Sequence, residues 1–177
     1  MNRKLLIFVL IVGGSIGAWQ VMQERYSQTH PSLSSTEEFI GYACDHAVAD
    51  AAKYNHVTLD YSVESLKQVD QILGQVHESY LKNPSAISVR GLSAEYGAYV
   101  VEVIRRNNAS AYWTRNSKAA GEKSYPLHWN LGESYPLAWC SRRITEGDED
   151  SIWLKYSVLK DPQWKQHLSD TVAKSKH

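Results

Sequence analysis

Apolar residues recur at intervals of three and four along the middle of this chain, and this helical spacing constrains its fold more than any other feature. In the segment that begins at Ser62 they form one stripe, at Leu66, Val69, Ile72, Leu73, Val76 and Tyr80. Ser62 can cap this predicted helix, and the Asn83-Pro84 pair ends it. A helix with one apolar stripe must bury it, so a packed core is expected here.

Two further helices are predicted on either side of this one. The first runs from Thr36 to about Tyr54, with small and apolar residues that repeat at i, i+4. The second has Ser93 as its N-cap and places Arg105 and Arg106 in its last turn, where positive charge is favourable. Its apolar face carries Leu92, Tyr96, Tyr99, Val100, Val103 and Ile104.

Two aromatic segments after these helices have the character of strands. Ser110 to Arg115 and Tyr125 to Asn130 are bounded by Asn, Gly and Lys, as hairpin strands tend to be. A last helix is predicted before Pro162, with Asp148 or Glu149 as its cap. The sequence therefore predicts an α+β fold, in which helices pack on a small antiparallel sheet.

The hexapeptide S-Y-P-L-x-W occurs twice between Ser124 and Trp139. The first copy runs into the turn signal Asn130-Leu131-Gly132, which predicts a short strand. In the second copy Ser134 can cap a helix and Pro136 fits its first turn. We therefore expect one string in two structural roles, and not two equivalent binding sites.

The first 26 residues predict a signal-anchor or transmembrane helix. Arg3 and Lys4 precede an uncharged run from Leu5 to Met22, which as a helix spans about 27 Å, close to a ~30 Å hydrocarbon core. The two charges favour a cytoplasmic N-terminus and place the rest of the chain outside the cytoplasm. A cleaved secretory signal is the alternative, because Ile16-Gly17-Ala18 is an acceptable cleavage site.

Beyond this segment the chain divides into a linker, one domain and a tail. Residues 27–35 are short, polar and interrupted by Pro31, as in a linker. Residues 36–160 hold the predicted helices and strands after the anchor, and a chain with 43% hydrophobic and 21% charged residues can form a packed core. Residues 161–177 are predicted to be a weakly structured tail.

Charge and motif content argue against several classes of ligand. The 19 basic and 19 acidic residues cancel, so the chain lacks the positive charge that nucleic-acid binding requires. His46 and Asp50 lie one helical turn apart, but no metal-binding motif accompanies this common spacing. We expect no nucleic acid, metal or other cofactor.

Cys44 and Cys140 are the two cysteines of the chain. In an oxidising compartment they can pair in a disulfide, closing a loop of roughly 95 residues, for which chain entropy gives about 4 to 5 kcal/mol. The alternative is that both are small buried apolar residues, since free Cys packs well in cores.

The aromatic residues and two carboxylates are the candidates for function. Six Trp and eleven Tyr against two Phe favour rings with a polar handle, which are typical of binding surfaces. The binding candidates are Trp113, Tyr125, Trp129 and Trp139, unless these rings simply fill the core. Glu95 and Glu102 could form a general acid/base pair, although Glu102 more simply pairs with Arg105 and Arg106.

Several short motifs resemble a widespread group of uncharacterised bacterial domains. They are L-D-Y-S-V-E-S-L (Leu59 to Leu66), Y-G-A-Y-V-V-E-V-I-R-R (Tyr96 to Arg106), Trp113, and Y-P-L-A-W with G-D-E-D-S-I-W-L-K-Y (within Tyr135 to Tyr156). The resemblance implies helices packed on a small antiparallel sheet and no established activity. Members include lone secreted or tethered domains and proteins suspected of neutralising toxins, and many of them lack a membrane segment.

These features lead to two functional hypotheses. The first is a single-pass protein of the bacterial inner membrane, or a secreted protein after signal cleavage, whose periplasmic or extracellular domain binds a protein partner. Toxin neutralisation is one form of this function. The second is a cell-envelope enzyme that acts on glycan or peptide through carboxylates such as Glu95 and Glu102.

Overall fold

The structure of the chain is a computed structural model that describes residues 36–130, 132–161 and 163. These residues form an α+β fold, with five α-helices and one three-stranded antiparallel sheet, as predicted. The predicted anchor (1–26), linker (27–35) and most of the tail (161–177) lie outside the described residues. None of the described helices is long and apolar enough to cross a membrane.

The first three helices lie close to their predicted positions. They are α1 (Thr36–Asp50), which continues into a π-helical turn (Ala51–Asn55), α2 (Ser65–Lys82) and α3 (Val89–Asn107). Ser62 does support the start of α2, because its Oγ accepts a hydrogen bond from the Ser65 backbone N–H at 3.2 Å. The first four stripe residues of α2, from Leu66 to Leu73, are buried, as their spacing predicts.

Helix α3 begins four residues before the predicted N-cap, so the prediction for Ser93 is wrong. The Leu92 backbone N–H already bonds to the Ser88 carbonyl at 3.0 Å. Ser93 is buried inside the helix, and its hydroxyl donates to the Val89 carbonyl at 2.6 Å. A serine within a helix can satisfy its hydroxyl in this way, so its presence does not mark a helix start.

The sheet contains β1 (Tyr112–Trp113), β2 (Leu127–Trp129) and β3 (Gly132–Ser134), in that spatial order. Trp113, Leu127 and Ser134 pair across the three strands, and all three are buried. Tyr112, His128 and Glu133 pair in the neighbouring row. Because successive strand residues face opposite sides, the sheet has one face on the core and one outer face.

The two copies of the repeat have different structures, as predicted. Leu127–Trp129 of the first copy is strand β2, whereas Pro136 of the second copy begins helix α4 (Pro136–Glu146). The predicted cap Ser134 is instead the last residue of β3. Its Oγ accepts a hydrogen bond from Trp129 Nε1 at 2.8 Å, which links the two copies.

The last helix of the described residues, α5 (Ile152–Leu159), is capped by Ser151 and not by Asp148 or Glu149. Those two acidic residues lie in a preceding 3-10 turn (Gly147–Asp150). The Asp70 carboxylate of α2 holds the start of α5, accepting hydrogen bonds from Ser151 Oγ at 2.8 Å and from the Ile152 backbone N–H at 2.9 Å. A side chain distant in sequence thus takes the place of a local acidic cap.

Helix α3 lies at the centre of the domain, between α1 and α4. A Cβ atom built on Gly97 would lie 2.6 Å from Leu137 Cα, so the glycine allows the backbones of α3 and α4 to come unusually close. The core continues from these helices to the inner face of the sheet through Leu127 and Trp113.

Candidate functional site

The outer sheet face carries a connected group of polar and aromatic side chains. The term outer sheet face is used below for the side chains of Tyr112, Thr114, His128, Glu133 and Tyr135. The cross-strand register places Tyr112, His128 and Glu133 side by side. Tyr112 is 59% exposed, while its neighbour Trp113 is 8% exposed on the opposite face.

His128 is fixed from two directions. The Tyr112 ring stacks on its imidazole, with centroids 4.7 Å apart and planes 10° from parallel. Its Nε2 lies 3.2 Å from Thr114 Oγ1, and that hydroxyl donates its single hydrogen to the Asn116 carbonyl at 3.1 Å. The neutral tautomer of His128 that satisfies both contacts of this hydroxyl carries its hydrogen on Nε2, which leaves Nδ1 as an acceptor.

Glu133 is held as an ionised carboxylate. Its Oε2 accepts hydrogen bonds from Tyr135 at 2.6 Å and from Ser117 at 2.8 Å. These two bonds, the one from Tyr135 first, lower the pKa of the Glu133 carboxyl. The second oxygen, Oε1, faces His128 Nδ1 at 3.8 Å, which is longer than a hydrogen bond.

A cleft of about 290 Å³ opens beside these groups. Tyr112, His128 and Glu133 line it together with Ser110, Trp129 and Asn130. Its walls thus combine aromatic surface with hydrogen-bonding groups and one carboxylate. Such a combination is suited to orienting a ligand that has both apolar and polar parts.

Across the outer sheet face a hydroxyl, an imidazole and a carboxylate lie next to each other, contributed by Thr114, His128 and Glu133. Catalytic triads have the same spatial order of nucleophile, general base and orienting acid. The Thr114 hydroxyl, however, also lies 3.1 Å from the Asn116 carbonyl, which can only accept its hydrogen, so in the tautomer that satisfies both contacts this hydroxyl accepts from His128. Thr114 therefore orients the imidazole and is not activated by it. The arrangement offers acceptor atoms to a ligand and does not form a nucleophile–base pair.

The aromatic residues predicted to bind a partner mostly belong to the core. Trp113, Trp129 and Trp139 are buried, and Tyr125 is half-buried with its ring stacked on Phe39 at 4.6 Å. Of these four, Trp129 alone also lines the cleft described above. The rings do not form a single exposed surface, which favours the core interpretation for them.

The two candidate carboxylates lie in different surroundings. Burial, and secondarily the charge of Asp50, raises the pKa of Glu95 to about 8. Glu102 instead bonds to Arg105 at 2.7 Å and to Arg106 at 3.4 Å, as predicted for an ion pair. Seven helical residues separate the two carboxylates by about 10 Å along α3, so they do not act on one bond as a pair.

Cys44 and Cys140 are free, buried thiols in the structure, which is the second of the two alternatives given for them and not the disulfide. Burial raises the pKa of Cys44 to about 12 and also raises the pKa of Cys140. Both are therefore protonated and unreactive at neutral pH. Across the described part of the chain, no group of three or more His, Cys, Asp or Glu is placed to hold a metal.

The sequence analysis did not single out Tyr112, His128 or Glu133. Their proximity depends on the register of strands only two or three residues long, which a single sequence does not reveal. One available signal was the pairing of Y-W with L-H-W, because alternation then places Tyr112 and His128 on the same side. The position of Glu133 beside these two residues can be inferred only if a third strand is recognised after the turn.

Comparison with known proteins gave no match to a family, to a curated protein or to a solved structure. The function must therefore be inferred from the residues of this chain.

Proposed function

We propose that this chain is a membrane-tethered domain of the bacterial cell envelope that binds a protein partner outside the cytoplasm. The cleft on the outer sheet face is the contact site. Neutralisation of a secreted toxin is one form that such binding can take. The observation that carries the proposal is the exposed Tyr112 ring, held by its stack on His128 beside the ionised Glu133.

The character of this surface supports protein binding. Tyrosine is enriched among residues that dominate interface energetics, because a rigid ring gives a large contact area at low entropic cost. Tyr112 is already immobilised by its stack, which reduces the cost of ordering it on binding. The three cross-strand residues offer a flat aromatic surface, a hydrogen-bond acceptor and a negative charge within one small area.

The sequence of residues 1–35 supports the tether. A linker of about nine residues reaches at most roughly 30 Å when extended, so an anchor at residues 1–26 would keep the domain close to the membrane. A partner would therefore be met at the membrane surface. The equal numbers of acidic and basic residues also suit a protein ligand better than nucleic acid.

Photo-crosslinking in intact cells tests this proposal. A photoreactive phenylalanine analogue replaces Tyr112 in the full chain, and a matched variant carries it at Leu81, which is 61% exposed on α2 and outside the cleft. We expect illumination to give one discrete protein adduct from position 112 and none from position 81. Mass spectrometry then identifies the partner.

Two outcomes would contradict the proposal. The first is the absence of any protein adduct at position 112 under conditions where the variant is folded and present in membranes. The second is the same set of adducts from positions 112 and 81, which would indicate random collision. Crosslinking to glycan alone would favour the cell-envelope glycan hypothesis instead.

A further inference from the structure

In the His128 tautomer assigned above, the cleft contains two acceptor atoms that face each other across a short gap. Oε1 of Glu133 and Nδ1 of His128 are 3.8 Å apart, and each is held in place by bonds on its far side. In neutral His128 both atoms present lone pairs to the gap. Two adjacent acceptors are most directly satisfied by a ligand group that donates at least two hydrogen bonds.

We propose that this gap binds a primary ammonium group, namely the lysine side chain of the protein partner. This inference rests on the proposed function and identifies the part of the partner that enters the cleft. A nitrogen placed about 2.8 to 2.9 Å from both acceptors would see them at an angle of roughly 85°, within reach of two of the three ammonium hydrogens. The ammonium charge would also neutralise Glu133.

The surroundings favour lysine over other cations. Oε2 of Glu133 is already used by Tyr135 and Ser117, so a guanidinium cannot form its usual two-point contact with both carboxylate oxygens. Calcium or magnesium would need several more oxygen ligands than the gap supplies. A lysine stem can instead lie against the exposed Tyr112 ring while its ammonium reaches the acceptors.

Charge within the cleft points the same way. Among the described residues that line it, Glu133 carries the one permanent charge, and the other lining groups are neutral when His128 is neutral. A ligand group with one positive charge therefore balances the charge of the cleft.

Titration with blocked peptides tests the inference. The full chain in detergent micelles is titrated with acetyl-Gly-Gly-Lys-Gly-Gly-amide, and the His128 ring signals are followed by NMR. We expect these signals to shift in a saturable way. The matched peptides with Nε-acetyl-lysine or arginine should bind with an affinity at least about tenfold lower, because each lacks a primary ammonium group.

Variants locate the interaction within the cleft. Glu133→Gln keeps an oxygen for Tyr135 and Ser117 but removes the charge, and should weaken lysine binding about tenfold or more. His128→Phe keeps a ring for the Tyr112 stack but removes Nδ1, and should also weaken it. Glu122→Gln makes the same charge change at an exposed position that does not line the cleft, and should leave binding unchanged. Unchanged unfolding midpoints establish that the variants are folded.

Equal binding of the lysine and acetyl-lysine peptides would overturn the inference, as would unaltered lysine binding in a folded Glu133→Gln variant. A shift caused by an uncharged N-acetylglucosamine oligomer, without one from lysine, would favour a glycan ligand. If the Tyr112 crosslink to a protein persists while the lysine peptide does not bind, only the ammonium inference fails. If both are absent, the proposed function fails with it.

Discussion

At the scale of single residues, Glu95 is a carboxyl group whose burial makes folding sensitive to pH. Its pKa rises from an ordinary 4.5 to about 8. The folded state therefore holds this proton more tightly, so the contribution to stability is complete below about pH 4.5 and is lost as the pH rises toward 8. We predict that Glu95→Gln raises the free energy of unfolding at pH 8, by roughly a few kcal/mol, and changes it little at pH 4.5.

Urea unfolding of the full chain in detergent, followed by Trp fluorescence at several pH values, measures this difference. Glu122→Gln, at an exposed position, is the matched control and should show the pH dependence of the parent protein. A Glu95→Gln variant whose stability falls between pH 4.5 and 8 as steeply as that of the parent would show that this carboxyl is not the titrating group.

Arg142 and Arg143 are neighbours in sequence with opposite surroundings. The Arg143 side chain is 7% exposed and its Nε donates to Asp70 at 3.0 Å, joining α4 to α2, whereas Arg142 is 67% exposed. Removing one partner of a buried pair leaves the other charge uncompensated. We predict that Arg143→Ala lowers the free energy of unfolding by about 3 kcal/mol and Arg142→Ala by less than about 0.5 kcal/mol. Equal urea midpoints for the two variants would contradict this assignment.

At the scale of elements, Gly97 and Gly41 test how closely the helices pack. Alanine is favoured over glycine in a helix by about 1 kcal/mol. A Cβ at Gly41 would meet nothing within 4 Å, but at Gly97 it would lie 2.6 Å from the backbone of α4. We therefore predict that Gly41→Ala raises the thermal midpoint, and that Gly97→Ala lowers it, because overpacking against the α4 backbone costs about 1 to 3 kcal/mol or more before the alanine preference is subtracted. A stabilising Gly97→Ala would mean that α3 and α4 are farther apart than described.

The positions of the helices were predictable, whereas most of their caps were not. Apolar stripes located α1, α2 and most of α3, because burial acts on many residues of a helix at once. Caps depend on single side chains, which tertiary contacts can redirect. Ser134 bonds Trp129 instead of capping α4, and Asp70 supports α5 from a distant helix. The cleft was not predictable from the sequence for the same reason, since His128 and Glu133 become neighbours only through the register of the strands.

At the scale of the whole molecule, the aromatic residues show why composition alone does not locate a site. An excess of Trp and Tyr is compatible with either a binding surface or a small core that needs large rings. The structure places Trp113, Trp129 and Trp139 in the core, where Trp129 Nε1 donates to Ser134, and exposes Tyr112, which the sequence analysis did not single out. Total burial is a property of the assembled elements, so the sequence could not assign these roles.

The proposed tether makes a last prediction, about residues 1–26. If residues 1–26 anchor the domain with its C-terminus outside the cytoplasm, alkaline phosphatase fused after His177 should be active and should remain with membranes after a carbonate wash.

Replacing Leu10 and Val12 with Arg costs roughly 2.5 to 3.5 kcal/mol for each charge near the centre of the apolar run and should abolish both properties. Replacing Gln28 and Ser34 in the linker with Glu adds two charges outside that run without adding Lys or Arg beside it, and should preserve both. Active phosphatase recovered only in soluble form, with an N-terminus created after Ala18, would replace the anchor with a cleaved signal. An inactive but membrane-bound fusion would reverse the orientation and contradict an envelope-facing binding site.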